Sequence, residues 1–289
     1  MTMRSYTAEL VLDARAQVAE SPRWDVRAGR LVWVDVLGGA VHLFDPATGL
    51  DESESFGVPV GAAALRASGS YVVAVPGAVL AWHPGERAQR LLTLEGESDG
   101  RRINDAACDP AGRLLAGTMS TAPDGEGHGR LYSLSTERTS LLADGIGLPN
   151  GIDWSPDGRT LYFTDSLTRK LDSYPYDPET GAVGELSDSI PVPAGLPDGH
   201  TVDAEGNIWV ALWSAGQVAC LTPSGRAVAS VTVPVQAPTS CAFGGPDLST
   251  LYITTMPQPG QDASAEPLAG GIFACQVHAV GRHPYPFTG

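Results

Sequence analysis

The sequence has 289 residues and a net charge of −15, from 18 basic and 33 acidic side chains. Nucleic-acid binding needs clustered Lys and Arg side chains that neutralise phosphates, so this acidic composition argues against a DNA- or RNA-binding protein. No apolar run approaches the roughly 20 residues of a membrane span, and the N-terminus lacks the apolar segment of a secretory signal. We therefore expect a cytoplasmic protein with no membrane or nucleic-acid partner.

The four cysteines are widely separated and form no CxxC pair: Cys108, Cys220, Cys241 and Cys275. This spacing indicates neither a zinc knuckle nor a redox motif. We expect buried free thiols.

A repeating all-β unit runs through the chain. Glycine and proline are abundant, with 34 and 23 residues, apolar runs are short, and no stretch has the periodicity of a long amphipathic helix. Each unit has a small or polar start, a short apolar segment, a turn rich in Pro, Asp or Gly, and two further strands separated by a variable loop. The clearest copies begin at Asn104, Asn150 and Asp198, and weaker ones begin at Glu20, Gly61 and Ser240.

The spacing of these copies predicts the fold. The six starts lie 41, 43, 46, 48 and 42 residues apart, the length of a four-stranded propeller blade. We predict that residues 1–289 form one six-bladed β-propeller domain, with four antiparallel strands in each blade. A stacked solenoid is the alternative, but the short hairpin turns suit radial closure better.

Closure of the ring is expected to involve the N-terminus. Blade six runs out of chain after its third strand, whereas residues 7–12 are β-like and precede blade one. We expect this N-terminal strand to complete the last blade, which would hide two sheet edges.

One face of the propeller is expected to carry the chemistry. First strands line the central channel, and the loops between second and third strands return to the face where the first strands start. We call this the top face. Two of these loops are long, residues 120–129 and 256–271, and long loops on a rigid scaffold often determine substrate specificity.

Polar residues recur at the starts of four blades, where ring geometry brings them to one point on the axis: Glu20, Asn104, Asn150 and Asp198. Carboxylate and amide oxygens suit Ca²⁺, Mg²⁺ or Mn²⁺, with Fe²⁺ and Zn²⁺ also possible. We predict one divalent metal ion there, with positions left for water and substrate. The alternative is that these side chains only hydrogen-bond the backbone in turns.

Two further residues are candidate substrate contacts. Arg102 stands two residues before Asn104 and could bind a polar substrate, or pair with a surface acid. His200 stands two residues after Asp198, so strand alternation directs it toward the channel, as a hydrogen-bond partner or proton carrier. A histidine without a chemical task is the alternative. We predict that Arg102 and His200 bind substrate.

The chain resembles the senescence-marker-protein/gluconolactonase family, the regucalcin-like sugar lactonases, over about its whole length. The matching segments are Glu20-Ser-Pro-Arg-Trp24, Arg102-Ile-Asn-Asp105, Ala116-Gly-Thr-Met119, Gly147-Leu-Pro-Asn-Gly-Ile-Asp-Trp154, Tyr162-Phe-Thr-Asp-Ser166, Pro197-Asp-Gly199, Asp203-Ala-Glu-Gly206 and Thr239-Ser-Cys-Ala-Phe-Gly-Gly245.

The resemblance implies a six-bladed propeller whose metal ligands match Glu20, Asn150 and Asp198. It also implies that Arg102 and Asn104 contact substrate, and that Asp198 acts as base as well as ligand. One departure concerns the loop after Met119. Animal members carry an acidic residue where this chain has Ser-Thr-Ala at 120–122, and Glu126 in the same loop could compensate.

These features together predict metal-dependent hydrolysis of sugar-acid (aldono-) lactones. Water bound to the metal would attack the carbonyl, with Asp198 as the base. No G-x-S-x-G segment is present, so a covalent acyl-enzyme is not indicated. The alternatives are a broader metal-dependent esterase or organophosphate hydrolase, and a non-catalytic metal-binding propeller.

Overall fold

The fold is described by a computed structural model for residues 3–94, 100–122, 128–260 and 264–289. Within these ranges the chain forms 25 strands and one short 3₁₀ helix, Ser166–Thr168. The strands build six sheets, and each sheet is one blade in which consecutive strands pair antiparallel. No helix in the described ranges is long and apolar enough to cross a membrane.

Two strands precede the first blade, β1 (Arg4–Thr7) and β2 (Glu9–Leu12). Blade one contains β3 (Ala19–Asp25), β4 (Arg30–Asp35), β5 (Ala40–Asp45) and β6 (Leu50–Ser55). Blade two contains β7 (Ala62–Leu65), β8 (Tyr71–Val75), β9 (Ala78–Trp82) and β10 (Gln89–Thr93). Blade three contains β11 (Arg101–Cys108), β12 (Leu114–Ser120), β13 (Gly129–Leu134) and β14 (Thr139–Ile146).

The second half of the ring repeats this arrangement. Blade four contains β15 (Pro149–Trp154), β16 (Thr160–Asp165), β17 (Lys170–Pro175) and β18 (Asp188–Pro191). Blade five contains β19 (Leu196–Val202), β20 (Ile208–Trp213), β21 (Gln217–Leu221) and β22 (Ala227–Thr232). Blade six contains β23 (Pro238–Gly244), β24 (Thr250–Thr255) and β25 (Ile272–Gln276). The six-bladed β-propeller predicted from the repeat is confirmed.

The N-terminus closes the ring, as predicted. β2 pairs antiparallel with β25 and becomes the outer strand of blade six. The segment differs from the prediction in one respect, because β1 is a separate strand that pairs parallel with β22 of blade five. Ala8 lies between the two strands, is buried, and donates its N–H to Thr232 O at 2.9 Å. The N-terminus therefore ties blade five to blade six.

Among the described residues, the core consists of six apolar clusters, one between each pair of neighbouring blades. At the seam between blades six and one, the Trp24 ring stacks on Tyr252 with the ring centroids 5.7 Å apart. Burying one large apolar side chain contributes about 1.5–3 kcal/mol, so the interfaces between blades stabilise the ring. All four cysteines are free; Cys275 is partly exposed and the other three are buried.

Bulges interrupt the first strands near their top ends. In the described ranges the pairing register shifts in five first strands, between Glu20 and Arg23, Ile103 and Asp105, Asn150 and Ile152, Pro197 and His200, and Pro238 and Ser240. A bulge leaves residues unpaired, bends the strand and redirects its side chains. The polar residues that start the blades therefore lie where the strands depart from regular alternation.

Neighbouring first strands approach each other closely at the axis. A Cβ atom on Gly151 would lie 2.1 Å from His200 Nδ1, and one on Gly199 would lie 2.1 Å from Ser240 Oγ. Both distances are far below van der Waals contact. Glycine at these two positions therefore lets blades four, five and six converge.

The C-terminal segment, residues 277–289, crosses the opposite face, and we call it the bottom strap. Val280 O accepts the N–H of Ala204, and Thr288 donates its N–H to Gly112 O. Ala204 and Gly112 belong to the hairpin turns that join first and second strands. The strap continues to blade two, where Phe287 donates its N–H to Leu65 O at 2.7 Å.

Candidate active site

A cavity of about 340 Å³ opens at the top of the channel. Its lining comes from the starts of first strands and the ends of second strands, as the blade geometry requires. Five of the residues predicted from the sequence line it: Glu20, Arg102, Asn104, Asn150 and Asp198. Glu20 and Asn150 are only 8 % and 5 % exposed, so they form its floor.

A chain of hydrogen bonds fixes the amide groups at the floor. Asn104 Nδ2 donates to Pro149 O and to Asn150 Oδ1, both at 2.7 Å. Asn150 Nδ2 donates to Ser166 Oγ at 2.8 Å, and the Ser166 hydroxyl donates to Pro197 O at 2.6 Å. Because its amide nitrogen is held by Ser166, Asn150 presents its amide oxygen on the side of Asn104. The chain links blades three, four and five.

Ser166 is a site residue that the sequence analysis missed. It follows β16 directly, lines the cavity and is 2 % exposed. It is also the last residue of the Tyr162–Ser166 segment that carries the family resemblance. That segment indicated family membership, but the hydroxyl's role depends on Asn150 and Pro197, which lie in different strands.

The carboxyl groups of Glu20 and Asp198 at the floor both have raised pKa values. Burial, together with the charge of Asp105, raises the pKa of Glu20 to about 8. Burial, with the charges of Glu20 and Asp105, also raises the pKa of Asp198 well above its usual range. Arg102 opposes both effects only in part, and burial lowers its own pKa. The environment of the floor therefore disfavours the ionised forms of Glu20 and Asp198, and a bound cation would favour them.

This donor set fits a divalent cation with few protein ligands. Glu20 and Asp198 offer carboxylate oxygens and Asn150 an amide oxygen, and such oxygen ligands suit hard cations. Within the described ranges, no group of three or more His, Cys, Asp or Glu side chains is arranged to hold a metal ion. A cation at this floor would thus depend on the amide and on solvent or substrate for its remaining ligands.

Comparison with known proteins identifies the family. The family model described as SMP-30/Gluconolactonase/LRE-like region matches residues 18–257. The chain belongs to this family. Regucalcin of Xenopus laevis is 36% identical to it over 301 residues, covering 99% of this chain and 100% of the relative. Pentonolactonase XacC of Haloferax volcanii is 35% identical over 286 residues, covering 96% of each chain.

A solved structure agrees with this assignment to the SMP-30/gluconolactonase family. The crystal structure of a calcium-binding protein, regucalcin, from Agrobacterium tumefaciens matches this fold with a TM-score of 0.93. Its sequence is 28% identical, and the match covers 99% of both chains. The resemblance stated from the sequence segments is confirmed.

The two long loops of this family member begin at the cavity. Met119 and Met256, which line it, lie at the ends of the second strands that lead into the loops. Residues 123–127, which include Glu126, and residues 261–263 lie outside the described ranges. Compensation by Glu126 for the acidic residue of animal relatives stays a prediction.

His200 does not line this cavity. It is 4 % exposed, its Nδ1 lies 3.1 Å from Thr164 Oγ1, and it borders a separate cavity of about 60 Å³ with Asp153 and Arg282. The reason is the bulge between Pro197 and His200, because alternation cannot be counted across a register shift. The His200 side chain therefore does not point to the same cavity as Asp198, contrary to the expectation from strand alternation. Burial lowers the pKa of His200 to about 4.

Proposed function

We propose that the protein is a hydrolase that opens sugar-acid lactones in the top cavity, assisted by one divalent cation. The observation that carries this proposal is the convergence of five polar side chains, contributed by blades one, three, four and five, on one cavity floor. The pentonolactonase among the relatives supports the reaction type and a small sugar lactone as substrate.

Glu20, Asn150 and Asp198 would hold the cation. The calcium-binding regucalcin among the solved relatives supports calcium, and the same oxygen set also suits Mg²⁺, Mn²⁺, Zn²⁺ or Fe²⁺. When bound, a divalent cation supplies positive charge that polarises a carbonyl and favours ionisation of water.

Asp198 would act as the base. Its carboxylate takes a proton from the water whose oxygen attacks the carbonyl carbon, and the bond from that carbon to the ring oxygen then breaks. The proton passes to the ring oxygen, which leaves as a hydroxyl of the open acid.

Arg102 and Asn104 would orient the substrate. The Arg102 guanidinium can donate hydrogen bonds to oxygens of the lactone. Asn104 uses its Nδ2 within the protein, so its amide oxygen is the group with which it would accept a hydrogen bond from a sugar hydroxyl. Holding the ester group beside the base contributes by restricting its orientation.

The proposal is tested by comparing two variants on aldonolactones. Asp198→Asn keeps an oxygen ligand but removes the base, so we expect kcat to fall by roughly 10²–10⁴ with metal retained. Arg102→Ala should raise KM more than it lowers kcat, if the arginine binds substrate and transition state about equally. Rates are corrected for spontaneous hydrolysis, and metal content is measured on each variant.

The controls separate the alternatives. Aryl esters and organophosphates are assayed in parallel, and faster turnover of these would favour a broader esterase. If the Asp198→Asn variant opens aldonolactones at the wild-type rate with full metal occupancy, Asp198 is not the base. A wild-type protein that never exceeds the spontaneous hydrolysis of lactones, aryl esters and organophosphates with any of the metals would leave only a non-catalytic propeller.

A further inference from the structure

The cavity has a polar floor and an apolar upper wall. Among the described residues, its mouth is surrounded by apolar side chains at equivalent places in several blades, and we call this set the apolar rim. Three members lie just before, or at the start of, first strands, and four lie near the ends of second strands: Val18, Leu148 and Leu196, and Leu37, Met119, Trp213 and Met256.

The rim residues are accessible to a ligand. Leu37 is 56 % exposed, and Val18, Met119, Leu148, Leu196, Trp213 and Met256 are each partly exposed. Single exposed apolar residues are ordinary, but a contiguous apolar surface around a concave site usually contacts a ligand. Blades one, three, four, five and six all contribute, so the rim nearly encircles the mouth.

The rim is poorly suited to hydroxyl groups. A hydroxyl moved from water to an apolar wall loses hydrogen bonds unless a protein partner replaces them. The Val, Leu and Met side chains of the rim have no oxygen or nitrogen atom that could serve as such a partner. An alkyl group in the same place would instead gain from leaving water.

We propose that the site also hydrolyses lactones that carry an alkyl substituent on the ring carbon next to the ring oxygen, and that it binds them better than the unsubstituted lactone. This inference rests on the proposed lactone hydrolysis. The ester group lies on the floor beside Arg102 and Asp198, and the alkyl chain extends upward along the rim. A volume of about 340 Å³ holds a five-membered lactone with a short alkyl chain.

The test is a homologous series of γ-butyrolactone, γ-hexalactone and γ-octalactone, assayed by pH-stat with metal-loaded protein. Each added methylene that reaches the rim should raise kcat/KM by about fourfold, mainly through a lower KM. Xylono- and gluconolactone are assayed alongside.

Two variants assign the effect to the rim. Leu37→Asn and Leu148→Asn place amides on the rim with the same number and branching of side-chain heavy atoms, and each should reduce the gain per methylene to about twofold or less. Leu186→Asn is the matched control, because Leu186 is 53 % exposed and lies outside the cavity. It should keep the wild-type gain.

The outcomes distinguish this inference from the proposal beneath it. If aldonolactones are opened but kcat/KM stays flat or falls along the alkyl series, the rim inference is wrong and the proposed function stands. An alkyl gain that both rim variants leave unchanged would also overturn it. If no lactone is opened at all, the proposed function fails first and the inference falls with it.

Discussion

At the scale of single residues, the floor of the cavity combines unbalanced charge with fixed amides. The carboxylates of Glu20 and Asp198 are both raised in pKa by burial, whereas Asn150 is held by a neutral hydrogen-bond chain. Mutating a group that orients a metal ligand typically lowers metal affinity by about 10–100-fold. In the proposed metal site Ser166 would be such a group, because its hydroxyl joins Asn150 to the backbone of blade five.

We predict that Ser166→Ala weakens divalent-metal binding by about 10–100-fold, because Asn150 Nδ2 loses its acceptor and the amide can rotate. Titration calorimetry on purified protein measures this change without an activity assay. Ser166→Thr keeps the hydroxyl and should recover part of the affinity.

Thr168→Ala is the matched control for that prediction. Thr168 lies in the same 3₁₀ helix and is exposed, and its Oγ1 donates only to Asp165 O. The metal affinity of the Thr168→Ala variant should stay at the wild-type value. Unchanged affinity in Ser166→Ala would show that Asn150 is oriented by other contacts.

At the scale of elements, the two N-terminal strands contribute differently. β2 supplies the fourth strand of blade six, and its Leu10 and Leu12 pack against the clusters on either side of that blade. β1 lies on the outer edge of blade five and is mostly exposed. Closure of the ring therefore depends on β2 much more than on β1.

We predict that deleting residues 1–12 lowers the free energy of unfolding by about 3 kcal/mol or more, because β25 loses its outer partner β2 and the apolar contacts of Leu10 and Leu12 are removed. Deleting residues 1–7 removes only β1 and should cost less than half as much. Chemical denaturation of both truncated chains measures the difference. Equal losses would contradict this assignment of closure to β2.

At the scale of the whole molecule, the bottom strap connects blades that are distant in sequence. Arg282 is its central contact: Nη2 donates to Asp153 Oδ1 at 2.9 Å and to Trp154 O at 2.7 Å, and Nε donates to Val202 O at 3.1 Å. These acceptors belong to blades four and five. The strap thus resists separation of the blades at the face opposite the cavity.

We predict that the chain unfolds in one cooperative thermal transition, as expected of a single propeller domain, and that Arg282→Ala lowers its Tm by about 4–8 °C. Hydrogen bonds to charged groups contribute about 1.5–3 kcal/mol each, and some of that loss is recovered by water at this partly exposed site. Arg87→Ala is the control, because Arg87 is exposed in a loop of blade two. Calorimetry showing two transitions would contradict the single domain.

Much of the architecture could be predicted from the repeat. The spacing of Glu20, Asn104, Asn150 and Asp198 can be read from the sequence alone. When the ring closes, residues at equivalent positions of the repeat come close together at the axis. That reasoning correctly brought these residues to one cavity with Arg102. It also predicted that the N-terminus completes blade six.

The other features of the site depend on contacts between strands, which cannot be read from a local sequence pattern. A one-residue register shift separates His200 from the cavity, and alternation along β19 gave no sign of it. Ser166 acquires its role only when blade five brings Pro197 O within reach. The apolar rim is assembled from single residues of five blades. The sequence by itself determined the spacing of the blade repeat, and therefore the ring and its top face. The tertiary structure decided which side chains contact each other. The reason is that bulges and close packing at the axis depend on contacts between strands, which the pattern along a single strand does not contain.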